Sequence, residues 1–353
     1  MPMSGPLSTI RLCLLGFGSV AQAFCELLEQ QEQALATRHG LRVLITAVGT
    51  RRGSLWAPEG LTGGGVLAAA GASGTLPDPP LALPKLLAGS NADILVELTV
   101  MEHGGAETAT GHIRAAFALG MDVVTANKGP IAWSWPEVAE RARATRRRIR
   151  FESTVMDGLP VFSLLERTLP DCRLLGFEAI FNSTTNAIID AIGEGVSFAD
   201  ALAQAQAAGY AEADPAHDID GWDAACKAAA LANVAMGAQI TPAEVERQSL
   251  NDVPPERILQ TRAKGKRLRL VTSVWRDPGA TGASGAAPAP VRARIEAREL
   301  TIDHPLAALN GESLGVILHT DLMGDLFVAE IGALVPQTAY GVYADLLALT
   351  AAP

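Results

Sequence analysis

The stretch densest in side chains able to do chemistry runs from Gly209 to Lys227. It carries five carboxylates, Glu212, Asp214, Asp218, Asp220 and Asp223, with Tyr210 near its start and Lys227 at its end. A second lysine, Lys128, follows Val123-Val124-Thr125-Ala126-Asn127. Carboxylates suit an ammonium group, so an acidic pocket with two lysines suits a zwitterionic amino acid. Oxidising an alcohol or reducing an aldehyde needs a positioned group to move the oxygen's proton. A lysine serves if its pKa is brought down, as a second cation nearby would do. Plainer readings exist for most of these residues. Asp223 and Lys227 are four residues apart with the acid first, which also describes an ordinary surface ion pair. Asp220 and Asp223 fit the cap of a helix starting after them, and Asp220 is read as a cap only. Asp214-Pro215 suits a turn, His217 a surface position, and Thr184 and Asn186 are potential turn formers.

Far upstream, Gly16-Phe17-Gly18-Ser19-Val20-Ala21 follows an expected strand and opens an expected helix. That is the context a dinucleotide fingerprint requires. Gly16 permits the tight turn, Gly18 lets backbone approach a pyrophosphate, and Ala21 allows close helix–strand packing. The helix N-terminus offers N–H groups to phosphates. Enzymes that select NAD place an acid after the second strand to hold the ribose 2′-hydroxyl. Here that strand continues into Gly49-Thr50-Arg51-Arg52-Gly53, with no acid. Arginine there suits a 2′-phosphate, so NADP is the expected cofactor and NAD the alternative; a pair of solvated arginines is the plain reading.

These motifs need elements to position them. Residues 10–15, 41–48, 94–98 and 123–125 read as strands buried on both faces, and 20–37, 106–119 and 136–146 as helices. That alternation implies a parallel sheet with helices on its faces. The segment 61–84, rich in Gly, Ala and Pro, carries no clear pattern. After residue 150 helices expected at 160–168, 198–208 and 221–236 mix with strands at 174–180, 267–274 and 291–300. The last two flank 277–290, made almost wholly of small residues, and suggest an antiparallel hairpin. With 353 residues, the chain is expected to form an α/β domain over 1–150 and an α+β domain over 151–335. At 48% hydrophobic and 19% charged it has ample core and is not a disordered sequence. A formal charge of -10 argues against nucleic acid as a partner, and the arginines at 141–150 read as a solvated helix end. The four cysteines lack metal or disulfide spacing. With neither a leader-like start nor a long apolar run, a cytoplasmic protein without membrane contact is expected.

The acidic stretch closing on Lys227, the Thr125-Ala126-Asn127-Lys128 segment and the Asn182-Ser183-Thr184-Thr185-Asn186 segment together resemble the homoserine dehydrogenase family over nearly the whole chain. The resemblance implies an N-terminal Rossmann dinucleotide-binding domain, a second substrate-binding and dimerisation domain, and a helix over about 336–350 returning to the first. It implies NAD(P)-dependent interconversion of L-homoserine and L-aspartate 4-semialdehyde, in the pathway to threonine, methionine and isoleucine, by a homodimer. Lys227 matches the catalytic lysine, and Lys128 a lysine beside nicotinamide and substrate. Glu212 matches a substrate-binding glutamate; Tyr210, Asp218, Asp223, Ser183 and Thr184 match positions around the amino acid. Thr99 and Gly332 match nucleotide contacts. Glu152, Val155, Asp157 and Leu159 match a monovalent-cation loop, for Na or K, built mainly from backbone carbonyls.

The chain departs from the family pattern in places. Leu334 replaces a glycine where backbone approaches the cofactor, Ser183 stands where glycine is common, and Met156-Asp157 replaces small residues in the cation loop. The resemblance is to the short form, without a regulatory domain after Pro353. The alternatives are a related oxidoreductase acting on another small amino acid or amino aldehyde, and a nucleotide sensor without catalysis, which would need neither lysine.

Overall fold

Strands that read as unbroken apolar runs must bury both faces, and this decides the architecture of the first half. The computed structural model describes residues 6–208, 211, 214–277, 289–332 and 334–351. The chain forms two compact units, the first comprising Met1–Pro130, Ser134–Gly158 and Leu334–Pro353, the second Ile131–Trp133 and Leu159–Ala333. The division therefore falls at Gly158 rather than at residue 150, and the C-terminal helix Val335–Thr350 belongs to the first unit.

In the first unit six strands lie in the order β3-β2-β1-β4-β5-β6. They are β1 (Ser8–Leu15), β2 (Leu41–Gly49), β3 (Ser54–Leu61), β4 (Ile94–Glu97), β5 (Asp122–Thr125) and β6 (Ile149–Arg150). All neighbours are parallel except β2 and β3. Leu12 and Leu14 of β1 pack on one side with helices Ser19–Gln30 and Val335–Thr350. Cys13 and Leu15 pack on the other with helices Leu83–Ser90, Glu107–Ala118 and Trp135–Thr145. Strand order reverses between β1 and β4, so their carboxyl ends flank the crevice where ligands of such sheets bind.

Several local features depart from the expectations. The helix expected over 20–37 ends at Gln30 and continues as a short helix and a π-turn, Leu35–His39, closed by Gly40 at φ +66°. Within 61–84 the helix Gly63–Ala70 begins on three glycines, of which Gly63 packs too close to the Cys25 carbonyl for a side chain. Its start is held by Thr62, whose hydroxyl accepts from Gly65 N at 3.2 Å. Strand β3, also unexpected, tolerates Pro58 because it lies at the sheet edge.

The second unit is an α+β structure, with strands in the order β12-β11-β7-β9-β10-β8. These are β7 (Leu174–Ile180), β8 (Glu246–Arg247), β9 (Lys266–Arg276), β10 (Val291–Thr301), β11 (Leu314–Thr320) and β12 (Gly324–Glu330). The expected hairpin is present: β9 and β10 pair antiparallel over their whole lengths, while the tip at 278–288 lies outside the described residues. Helices Val161–Thr168, Phe198–Ala207 and Trp222–Ala235 stand where they were expected. Ser183–Gly193 is a helix as well, so Thr184 and Asn186 are not turn formers. Arg269 on β9, 1% exposed, anchors that helix: it donates to Asp190 Oδ1 at 2.7 Å and to the Leu309 carbonyl at 2.8 Å. Asn186 ties the same helix to the carbonyls of Leu309 and Gly311 at 3.2 and 3.1 Å, which makes it a structural residue.

The two glycines of the fingerprint have different physical roles. Gly16 has φ +92°, and a side chain there would strike the Leu98 carbonyl and come 2.9 Å from Thr99 N. Gly18 has an ordinary φ of -84°, and a side chain would meet no protein atom within 4 Å. Gly16→Ala is therefore expected to lower the unfolding free energy by at least about 2 kcal/mol. Gly18→Ala should cost no more than about 1 kcal/mol, its value as a helix cap. Urea unfolding checks the pair; equal losses would contradict this division of roles.

Candidate active site

Gly18 opens the helix Ser19–Gln30 with extended backbone, no side chain caps that end, and its first turn holds no acid. The space in front of Gly18 is clear of protein atoms, so nothing in the packing of this chain demands a glycine there. A cradle that a Cβ would fill, facing the positive end of a twelve-residue helix, fits the pyrophosphate of a dinucleotide. Phe17 and Ala21 are buried beneath it, while Ser19 is exposed and Val20 half-buried. Arg51 and Arg52 are both exposed in the turn after β2. Thr50 shapes that turn, its hydroxyl accepting from Arg52 N at 3.2 Å and Gly53 N at 3.0 Å.

At the neighbouring strand ends, Thr99 follows β4 and Asn127 follows β5. Asn127 Nδ2 donates to the Thr99 carbonyl at 3.1 Å, and its Oδ1 accepts from Gly129 N at 2.9 Å. Asn127 thereby caps the helix Lys128–Trp133 and sets Lys128, half-buried, at its first position. Thr99 and Lys128 thus leave the carboxyl ends of adjacent parallel strands.

The second unit gathers the acids and the other lysine. Lys227 Nζ donates to the Phe181 carbonyl at 2.6 Å and pairs with Asp223 Oδ2 at 3.1 Å. Their side chains are only 14% and 10% exposed, so this four-residue spacing is not a surface pair. Asn182 binds both acids, its Nδ2 lying 2.8 Å from Asp218 Oδ1 and 3.1 Å from Asp223 Oδ2. Its Oδ1 accepts from Thr185 N at 2.8 Å and caps helix Ser183–Gly193. Thr184 donates to Asp218 Oδ2 at 2.9 Å. Burial, and then the charge of Asp223, push the Asp218 carboxyl above the ordinary carboxylate range, against the hydrogen bonds from Thr184 and Asn182 and the charge of Lys227. Two acids brought together in a poorly hydrated space with one lysine make a site that favours an incoming cation.

The remaining candidates fall as follows. Tyr210 and Glu212 lie outside the described residues. Ser183 takes the first position of its helix, half-buried. Gly332, at φ +69°, belongs to the second unit, while Leu334 is 53% exposed at the start of helix Val335–Thr350 in the first. In the cation loop, Glu152 N donates to Asp345 Oδ2 at 2.7 Å, and Asp157 accepts from the Thr338 hydroxyl at 2.8 Å. Those contacts fasten the loop to the C-terminal helix, with Val155 buried; Leu159 belongs to the second unit. Among the described residues no three His, Cys, Asp or Glu side chains gather as a metal site. Asp220 is not the cap of helix Trp222–Ala235: Gly221, left-handed at φ +75°, occupies that position, and Asp220 accepts from the Ser249 hydroxyl at 2.9 Å. Asp214 does hold its turn, accepting from Ala216 N at 3.1 Å. Among the described residues no helix is long and apolar enough to cross a membrane. The sequence marks Asn182 only as an amide just before a helix start, the usual place of a cap.

Two family models match the chain: homoserine dehydrogenase over residues 160–347, and the homoserine dehydrogenase NAD-binding domain over 16–152. The chain belongs to the homoserine dehydrogenase family. An NAD(+)-dependent homoserine dehydrogenase from Pseudomonas canavaninivorans is 33% identical over 97% of this chain and 96% of its own length. A putative homoserine dehydrogenase from Archaeoglobus fulgidus superposes with a TM-score of 0.84 at 28% identity, covering 97% of this chain and all of that one. A hyperthermophilic archaeal homoserine dehydrogenase in complex with NADPH gives 0.80 at 25% identity, covering 97% and 98%. The chain is thus a homoserine dehydrogenase, an NAD(P)-dependent oxidoreductase acting on an amino acid, and its first unit has the fold of the nucleotide-binding half.

The raised Asp218 gives a pH prediction. The folded state holds that proton more tightly than the unfolded chain, so its contribution is fully present below about pH 4 and is lost as pH rises through the folded value. At neutral pH the charged Asp218 is therefore a cost to folding. Asp218→Asn, which keeps the shape, should raise the urea midpoint at pH 7 and flatten the fall in stability above about pH 4, while homoserine turnover drops. A lower midpoint at pH 7 would contradict it.

Proposed function

We propose that Lys227 is the proton-transfer residue for interconversion of L-homoserine and L-aspartate 4-semialdehyde. The supporting observation is the placement of its Nζ, fixed by the Phe181 carbonyl and Asp223 at 2.6 and 3.1 Å. An ammonium has three donors. Two are directed at these partners, which leaves one for the substrate oxygen. In the reducing direction the Lys227 ammonium gives its proton to the aldehyde oxygen as the carbon receives hydride; in the oxidising direction the neutral amine takes the hydroxyl proton. The nicotinamide nucleotide, when bound, supplies or removes that hydride. Asp218, half-buried, and Asp223, buried, are held by Asn182 and Thr184 and draw the substrate's α-ammonium toward this lysine. Glu212, Tyr210 and Ser183 complete the substrate pocket in this reading, and Lys128 serves nicotinamide and substrate together.

The nucleotide occupies the turn Gly16–Ala21 with Thr99 and Gly332 as further contacts, and Arg51 and Arg52 make NADP the preferred form. The relatives include both an NAD(+)-dependent enzyme and an NADPH complex, so the preference rests on those two arginines and the absence of an acid beside them. A monovalent cation, Na or K, would rest on carbonyls of Val155, Asp157 and Leu159, near Glu152. Two copies pair through the second unit, where edge strand β12 exposes Phe327.

Lys227→Ala should lower turnover by roughly 10² to 10⁴, typical of a lost general acid–base group, with nucleotide affinity close to the parent's. Steady-state kinetics beside a nucleotide titration decide it. Near-native turnover would remove Lys227 from the mechanism.

A further inference from the structure

Strand β4 ends on a carboxyl group that the mechanism does not use. Glu97 closes the apolar run Ile94-Leu95-Val96, and its side chain is 0% exposed. Burying a carboxyl group is unfavourable unless its oxygens find donors. Here Oε1 accepts from the Thr99 hydroxyl and, at 3.4 Å, from the Thr99 amide; it also lies 3.2 Å from His112 Nδ1 on helix Glu107–Ala118. The Thr125 hydroxyl, at the end of β5, donates to the Glu97 carbonyl at 3.1 Å and lies 3.4 Å from Oε2. Asn127 Nδ2 donates to the Thr99 hydroxyl oxygen at 3.3 Å. An apolar residue would complete the β4 core at lower cost, so the role of Glu97 lies in what it holds.

A hydroxyl carries one proton and two lone pairs. Thr99 directs its proton at Glu97 and takes the Asn127 amide on one lone pair, which leaves only accepting capacity. We propose that Glu97 is a positioning residue for the nucleotide. By taking the Thr99 proton it fixes that side chain as an acceptor for a donor group of the nucleotide, a ribose hydroxyl or the carboxamide amino group, and turns it away from phosphate oxygens. His112 steadies the same Glu97 oxygen. The proposal rests on the reading of Thr99 as a nucleotide contact.

The test is equilibrium binding of NADPH, followed by its fluorescence, across Thr99→Val, Glu97→Leu and the double variant. Thr99→Val should weaken binding by about tenfold, the worth of one hydrogen bond, and Glu97→Leu, which removes the acceptor of the Thr99 proton, by a similar factor. The double variant should bind within about twofold of Thr99→Val, because Glu97 acts through Thr99. Losses that multiply would assign Glu97 a general structural role and overturn the proposal. So would unchanged or tighter binding in Glu97→Leu while Thr99→Val weakens it. A Thr99→Val variant that binds normally would instead remove the nucleotide contact on which the proposal rests. With the 3-acetylpyridine analogue of NADPH, which lacks the amino group, Thr99→Val should have no effect if that group is the donor, and its full effect if a ribose hydroxyl is. Should Glu97→Leu fail to fold by urea unfolding, His112→Leu takes its place in the cycle with the same expectation.

Discussion

Two acids share a space largely closed to water with a single lysine, and the second unit is arranged around making that arrangement tolerable. Buried charges are costly unless paired and hydrogen-bonded, and removing one partner leaves the others uncompensated. Asn182 meets the requirement with one amide, donating to both Asp218 and Asp223 while its oxygen caps a helix. Helix Trp222–Ala235 carries Asp223 and Lys227 one turn apart, and its wall of alanines lets it sit deep in the unit. Arg269 and Asp190 hold the opposing helix in place. The constraint is electrostatic first, and the packing follows from it.

In the first unit the governing constraint is steric. Gly16 lets the chain turn within contact of the β4 end, and that proximity places Thr99 beside the fingerprint. Polar groups at the ends of β4 and β5 then interlock, Glu97 with Thr125 and Thr99 with Asn127. Such a network ties two loop starts to one rigid sheet edge, where catalytic and binding loops gain precision from the scaffold beneath them.

The legible parts of the fold were those where a single physical rule dominates. Strands β1, β2, β4 and β5 bury both faces and so appear as plain apolar runs, and the long β9–β10 hairpin has small residues between two β-rich segments. What escaped was decided by neighbours distant in sequence. The helix Gly63–Ala70 contradicts its own glycines because close packing on Cys25 demands one of them. Ser183–Gly193 starts with residues that favour turns in isolation, and only its Asn182 cap and its burial make it a helix. Gly221 displaced Asp220 as a cap by adopting a left-handed conformation. In the site, Asp223 and Lys227 were visible as a pair, but spacing does not distinguish a buried pair from a surface one. Glu97 passed unnoticed inside the expected strand 94–98, because its partner His112 lies fifteen residues on.

The central claim is that the buried acids recognise an α-ammonium group and deliver the alcohol to Lys227. The most direct measurement compares kcat/KM for L-homoserine with that for 4-hydroxybutyrate, the same alcohol without its ammonium. Loss of charge-assisted hydrogen bonds predicts a value at least about a hundredfold lower for the analogue. Comparable values for the two would contradict the account, because the acids of this site would then have no substrate charge to meet.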